Sequence, residues 1–404
     1  MSNECRRRIV EAIHQRGPLT LAQFMEIALY DPEVGYYVRA ARRSGRAGDF
    51  YTSVDVSPLF GELLAEQIAE MGRLVLGEID PDLQVEASPA FDLVEAGAGN
   101  GRLSRDVLDA LERVSPDVYD ALRLHLVERS TAARDAQRET LGRHVKKVST
   151  SGSDLPAHVT GVVFANELLD ALPTRAVVAR DEGLREVVID AQGNDLVERE
   201  VPPSTPALAE YLARLDVRLP PGFRTEINLE AVDWVRTAAR ALERGFLLLI
   251  DYGHDAATLY SASHAGGTLA VYTGHVVEGR DAGRPAPWLR DPGDSDITAH
   301  VDFTSIRQAA RSEGLECLCV VDQMHFLLGL GIEGRLSATS GSERDQIVRR
   351  LALKTLLVPG GLGTTHHVMI FSRGMGRTPL RGCALARNVQ SPGPTGPAIP
   401  AFKE

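Results

Sequence analysis

The stretch that most constrains this chain is residues 91–106, FDLVEAGAGNGRLSRD. Phe91, Leu93 and Val94 make a short apolar run of the kind that fills a buried parallel strand. Glycines at 97, 99 and 101 interrupt it, and Leu103, Val107, Leu108 and Leu111 then recur at helical spacing. Strand, glycine loop and helix in that order predict the first βα unit of a nucleotide-binding sheet. Glycine there lets the backbone turn tightly and approach a ligand that a Cβ would hold away.

The spacing restricts the ligand. A dinucleotide loop follows G-x-G-x-x-G/A, which requires a small residue where Arg102 stands. The glycines instead read G-x-G-x-G, with Glu95 two residues ahead of the first. That E-x-G-x-G-x-G arrangement resembles motif I of class I S-adenosylmethionine (SAM) methyltransferases. Glu95, Gly97, Ala98, Gly99, Asn100 and Gly101 are the cofactor candidates of this loop.

Further strands extend the sheet. Residues 122–127 read as a second strand ending at Glu128, where an acid can accept hydrogen bonds from ribose hydroxyls. A third, near 145–150, leads to Asp154 and Leu155; a fourth, 161–165, runs into Asn166 and Glu167. Asp154, Leu155 and Asn166 join the cofactor candidates, as do Gly48 and Asp49 in a polar loop able to close over a ligand. The fold class expected is α/β, a class I SAM methyltransferase (Rossmann-like) with a mostly parallel sheet, an N-terminal helical lead-in and an inserted lid or substrate subdomain.

The expected boundaries follow the changes of pattern. Residues 1–60 form the lead-in and the cofactor-covering loop, and Thr20 is placed to cap a helix carrying Leu21, Phe24, Met25, Ala28 and Leu29 on one face. Residues 61–173 and 226–374 form the two parts of the cofactor domain, the second with a long loop at 260–300. Alternating runs between 174 and 225 read as the strand-rich insert. Residues 375–404, rich in Pro and Gly without periodicity, read as a disordered tail.

Composition excludes several classes. There is no run of about 18 uninterrupted apolar residues, so no membrane span is expected. A formal net charge of −11 disfavours nucleic acid as a partner. The first residues, MSNECRRRIVEAIHQRG, lack the apolar core of a secretory signal, and Glu4 and Glu11 argue against a transit peptide, so a cytoplasmic location is expected. Cys317 and Cys319, two apart in LECLCVV, are expected on one face of a strand. No second Cys or His pair has zinc spacing, so no metal is expected and the four cysteines are expected to be reduced thiols.

Seven motifs then occur in order: GPLTLAQFMEIALYDPEVGYY; GDFYTS followed by SPLFGELLA; VEAGAGNGRLSRDVL; ANELLDALP; LLLIDYGH; GTLAVYTGH; and DITAHVDFT followed by QMHFLLGLGI. Together they resemble the MidA family, whose mitochondrial member is a complex I assembly factor and protein arginine methyltransferase. The resemblance runs from about residue 17 to 374. It implies SAM as cofactor and a protein substrate bearing an exposed arginine. Two stretches depart from the family pattern: Ser53-Val54-Asp55-Val56 before Ser57, and GLGTTHHVMIF, which lacks the expected charged residues.

The catalytic candidates follow from guanidinium chemistry. Arginine stays protonated and presents a planar fork of donors, so carboxylates are its natural clamp. Glu167 sits where related arginine methyltransferases carry a substrate-binding acid. Asp170 lies three residues on, on the same face if a helix begins there. His300 and Asp302 in AHVDF form a candidate second orienting pair. Two alternatives stay open: a SAM-binding assembly factor with little turnover, and an NAD-dependent oxidoreductase, which Arg102 opposes. Oligomeric state is open too, with a homodimer among the alternatives.

Overall fold

The computed structural model describes residues 2–38, 53–77, 90–193, 195–273, 276–281, 284–336, 351–357 and 362–386. Its lead-in comprises α1 (Ser2–Arg16), β1 (Leu19–Thr20) and α2 (Leu21–Tyr30). Thr20 closes a capping box: its Oγ1 accepts from the Gln23 N–H at 3.2 Å, and Gln23 Oε1 accepts from the Thr20 N–H at 2.9 Å. The face expected to be apolar, Leu21, Phe24, Met25, Ala28 and Leu29, is buried throughout.

After the short α3 (Ser53–Val56) and the long α4 (Leu59–Leu76), the sheet begins. It is built from β2 (Phe91–Ala96), β3 (Leu122–Val127), β4 (Val148–Gly152) and β5 (Val159–Asn166), with α5 (Arg102–Val114), α6 (Pro116–Ala121) and α7 (Thr131–Leu141) between them. The insert follows as β6 (Arg175–Arg180), β7 (Gly183–Gln192), β8 (Asp195–Val201), α8 (Ala207–Arg214) and β9 (Arg224–Ile227). Helix α9 (Leu229–Ala241) and strand β10 (Leu242–His254) return the chain to the main sheet. Beyond α10 (Ala256–Leu259) come β11 (Ala270–Thr273), β12 (Val276–Gly279), β13 (Asp296–Thr298), β14 (Val301–Asp302), α11 (Phe303–Ser312), β15 (Glu316–Asp322), α12 (Gln323–Gly329) and, later, β16 (His366–Arg373).

The main sheet runs β15-β16-β10-β5-β2-β3-β4, with β14 beside β10. The pairs from β10 through β4 are parallel, and β16 is antiparallel to both β10 and β15. Strands covered on both faces need apolar residues at successive positions. Phe246, Leu248 and Ile250 face one core with α4, α5 and α12, while Leu247 and Leu249 face the other with α9 and α11. The insert and β1 form a separate antiparallel sheet, β1-β7-β6-β9 with β8 on β7, packed against α1 and α2. Among the described residues no helix is long and apolar enough to cross a membrane.

Four expectations are corrected here. The 260–300 stretch carries a three-stranded sheet, β12-β11-β13, whose strands of three or four residues are too short to show alternation. Residues 375–386 pack on the core: Met375 and Leu380 are buried in it, and the Gly382 N–H donates to Gln67 Oε1 at 2.9 Å. Isolated apolar anchors in a Pro/Gly-rich segment escape a compositional reading; 387–404 lie outside the described residues. Cys317 and Cys319 face opposite cores, because the β15–β16 register slips between them and the extra residue inverts the alternation. Finally, Cys319 is joined to Cys383 in a disulfide, in which Cys5 and Cys317 take no part.

Candidate active site

The site lies at the C-terminal ends of the parallel strands, where a doubly wound sheet opens its crevice. The glycine loop after β2 is held by the end of β3. The N–H groups of Gly97 and Ala98 both donate to the Val127 carbonyl, at 2.9 and 3.1 Å. The Gly99 N–H donates to Glu128 Oε2 at 2.9 Å, and Gln137 Nε2 donates back to the Gly99 carbonyl at 2.8 Å. Gly99 is left-handed at φ 51°, and a Cβ there would meet nothing within 4 Å. The backbone thus turns its bare side to open space, which is what a closely approaching ligand requires.

The residues around that space divide into contacts and supports. Glu128 is half-buried; besides Gly99, it accepts the Ser130 N–H at 2.7 Å on Oε1, and each oxygen keeps a lone pair for a hydroxyl. Asn166 donates through Nδ2 to Glu167 Oε1 at 3.1 Å, while its buried Oδ1 has no hydrogen-bond partner among the described residues. Leu155 is half-buried against the β5 side of the core, whereas Asp154 is exposed and accepts from the neighbouring Ser153 hydroxyl. Asn100 Oδ1 accepts the Arg102 N–H at 3.3 Å. Glu95 points beneath the loop, buried against the Ser104 hydroxyl of α5, and burial pushes its carboxyl up to about 8. It braces the turn rather than lining its open side. Gly101 caps α5, and Arg102, in the third-glycine slot, is ion-paired with Asp55 of α3. Gly48 and Asp49 lie outside the described residues.

Beside this loop is a pocket of acids. No helix follows β5; residues 167–172 form a turn, so the expected helical face shared by Glu167 and Asp170 does not exist. Glu167 takes a left-handed φ of 51°, its N–H donates to the Ile250 carbonyl at 2.8 Å, and Leu168 packs against Gly97. The turn is pinned from three sides. Asn228 Nδ2 donates to the carbonyls of Leu169 and Leu172, Asp251 Oδ2 accepts the Leu169 N–H at 2.8 Å, and the Tyr30 hydroxyl of α2 donates to the Ala171 carbonyl at 2.9 Å.

These bonds bury Asp170, Asp251 and Asp296 together, with Glu167 at the edge. Burial, then the charges of Asp251, Asp296 and Glu167, raises the Asp170 carboxyl well above the usual carboxylate range. Burial likewise raises Asp251 to about 7. Asp170 Oδ1 has no hydrogen-bond partner, and no Lys or Arg pairs with Asp170 or Asp251 among the described residues. Tyr37 donates to Asp296 Oδ1 at 2.7 Å. His366 sits 3.7 Å from Glu167 Oε1; burial opposes its charge, yet the Glu167 and Asp251 carboxylates raise it above the ordinary imidazole value. Asp251 lies near the end of β10, and Asp296 starts the three-residue β13 far along the chain.

The His300–Asp302 pair is corrected. Asp302 Oδ1 accepts the N–H groups of Thr304 and Ser305 as the N-cap of α11, and Oδ2 accepts the hydroxyls of Tyr211 and Tyr260 at 2.9 and 3.1 Å. Its capacity is taken up by the fold. His300 instead stacks on other rings, and burial, then His254 and His264, lowers it to about 4.

An open mixed sheet with a glycine-loop crevice at the ends of its parallel strands defines a nucleoside-cofactor enzyme of the α/β class. Residues 63–321 match the family model of S-adenosyl-L-methionine-dependent methyltransferases, and the chain belongs to that family. A solved Burkholderia thailandensis protein bound to S-adenosyl-homocysteine superposes with a TM-score of 0.82, is 29% identical and covers 95% of each chain. Among curated proteins, the mitochondrial protein arginine methyltransferase NDUFAF7 of Mus musculus is 29% identical, over 82% of this chain and 74% of its own. Its Drosophila melanogaster homologue is 29% identical, over 86% and 80%. The resemblance read from the ordered motifs holds, the fold is the α/β methyltransferase fold, and the protein is a SAM-dependent methyltransferase with SAM as its cofactor. The expected cytoplasmic location is overturned by the names of these relatives, which are designated mitochondrial.

Proposed function

We propose that the protein is a protein arginine N-methyltransferase, transferring a methyl from SAM to a guanidinium nitrogen. The observation that carries this is the buried acid pocket. Asp170 and Asp251 sit beside the cofactor loop with raised proton affinities and, among the described residues, no Lys or Arg to pair with. Burying carboxylates without a counterion is costly, and a cation delivered by the substrate relieves that cost. A guanidinium brings a delocalised charge and a flat fork of donors that several carboxylates can share. The names of the curated relatives support the same reading.

In this reading the fit to SAM rests on Gly99, Asn166 and Glu128: a bare backbone turn, an unpartnered buried carbonyl oxygen, and a carboxylate with lone pairs to spare. The bound cofactor supplies an electrophilic methyl whose sulfur departs with the bonding pair. Glu167, fixed by its Asn166 contact and backed by His366, clamps the guanidinium so that one nitrogen faces the methyl. Asp170, with one oxygen unpartnered, accepts the proton that the nitrogen releases as the N–C bond forms. The sheet of 174–225 and the lead-in serve as the lid, since Tyr30 and Tyr37 reach directly onto Ala171 and Asp296. The substrate is a protein segment presenting an exposed arginine to that opening.

The test is to incubate the full chain with methyl-labelled SAM and lysate from cells lacking the gene, then hydrolyse the protein. Label in methylarginine is expected. Label in methyl-lysine or methyl esters, or no label in protein at all, overturns the arginine reading.

A further inference from the structure

We propose that His254, His264 and His300 form a binding site for one borderline divalent cation, with zinc as its type. Each offers a ring nitrogen, and the three nitrogens lie within 4.8 Å of one another. The ring centroids are 4.7 Å apart for His254 and His264, 5.1 Å for His254 and His300, and 6.1 Å for His264 and His300. Zinc–nitrogen bonds of about 2.0–2.1 Å in tetrahedral geometry set the nitrogens about 3.3 Å apart, so small side-chain rotations close the site. This inference is independent of the arginine reading.

Two features point to a ligand rather than to packing. His300 Nδ1 is buried and has no hydrogen-bond partner among the described residues, an outlay that an apolar ring at the same place would avoid. His264 Nδ1 lies 3.0 Å from the Thr258 carbonyl, a contact that fixes the tautomer and leaves Nε2 with a lone pair, as in the outer shell of imidazole metal sites. Three imidazoles suit zinc, cobalt, nickel or copper rather than magnesium or calcium. All three are half-exposed, which leaves a fourth position to water.

The ligands come from three segments: the end of β10, the short turn at Ala262–His264, and the residue before β14. Such spacing has no pattern that a sequence scan for zinc pairs would find. The Ala299 N–H donates to the Asp170 carbonyl at 3.0 Å, so an ion held through His300 also braces the acid pocket.

The experiment uses the full chain after chelator treatment, titrated with Co²⁺ and followed by visible d–d absorption, with Zn²⁺ as competitor. One Co²⁺ per chain is expected, displaced by Zn²⁺, with no thiolate charge-transfer band. His254→Ala and His264→Ala should each weaken binding at least about tenfold, whereas His14→Ala, on an exposed helix face, leaves it unchanged. S-adenosyl-homocysteine binding, measured on each variant, confirms that it is folded. No uptake by the wild-type chain, a thiolate band, or undiminished affinity in a folded His254→Ala or His264→Ala overturns the site.

Discussion

The glycine loop and the acid pocket adjoin at the tips of the same strands, yet they are built in opposite ways. The loop is made from consecutive residues, and its polar groups are satisfied by the backbone of β3 and by Glu128. What it offers a ligand is shape: a left-handed turn with no side chain in the way. The pocket is assembled from four separated segments and keeps acids without a counterion, with Asp170 and Asp251 held reluctant to ionise. A cofactor common to many reactions needs a fixed cradle. A cationic side chain is recognised by the electrostatic cost that its arrival removes. The two regions should therefore fail separately.

The largest effect belongs to Gly99→Val. A β-branched residue at φ 51° carries strain of about 1–3 kcal/mol, and its side chain enters the space the cofactor takes up. Calorimetry with SAM should show no binding in a variant that still unfolds cooperatively. Unchanged affinity would dissociate the loop from the cofactor.

Next comes Glu167→Gln, which keeps size and an acceptor but removes charge. SAM affinity should hardly move, while single-turnover methyl transfer falls by about two powers of ten, or about 2.7 kcal/mol in the barrier. A parallel loss of both would put Glu167 on the cofactor side, and full activity would remove it from the pocket.

The same contrast explains what the sequence disclosed. β3 falls at the residues expected, 122–127, because it is one apolar run bounded by clear signals. The glycine loop was legible for the same reason. The pocket was half legible. Glu167 and Asp170 follow a strand in a recognisable motif, but the turn between them depends on Asn228, Asp251 and Tyr30, which no local pattern links. Asp302 misled because an acid before Phe-Thr-Ser reads equally as catalyst or helix cap, and only its two tyrosine partners decide. The histidine trio, spread over 254, 264 and 300, was invisible for want of any period.

The smallest effect distinguishes the buried acid of the loop from those of the pocket. Glu95 has a folded pKa of about 8, above the ordinary 4.5, because burial disfavours its charge. A raised carboxyl pKa means that between those values the folded chain holds a proton that the unfolded chain has released. The unfolded state then binds fewer protons, so stability falls as pH rises, by at most about 1.4 kcal/mol per pH unit from this group. Glu95→Gln keeps an acceptor for the Ser104 hydroxyl and does not ionise, so its stability should decline less steeply between about pH 5 and 8. Some slope should remain, since Asp251, raised to about 7, acts with the same sign. Adding an arginine-bearing substrate should flatten that residual part, because a bound cation favours the ionised pocket, and should leave the Glu95 part untouched. Urea unfolding at stepped pH, with and without Glu95→Gln, measures both. Parallel curves for the two proteins would show that Glu95 is already ionised in the folded state, and that the loop, like the pocket, carries charge.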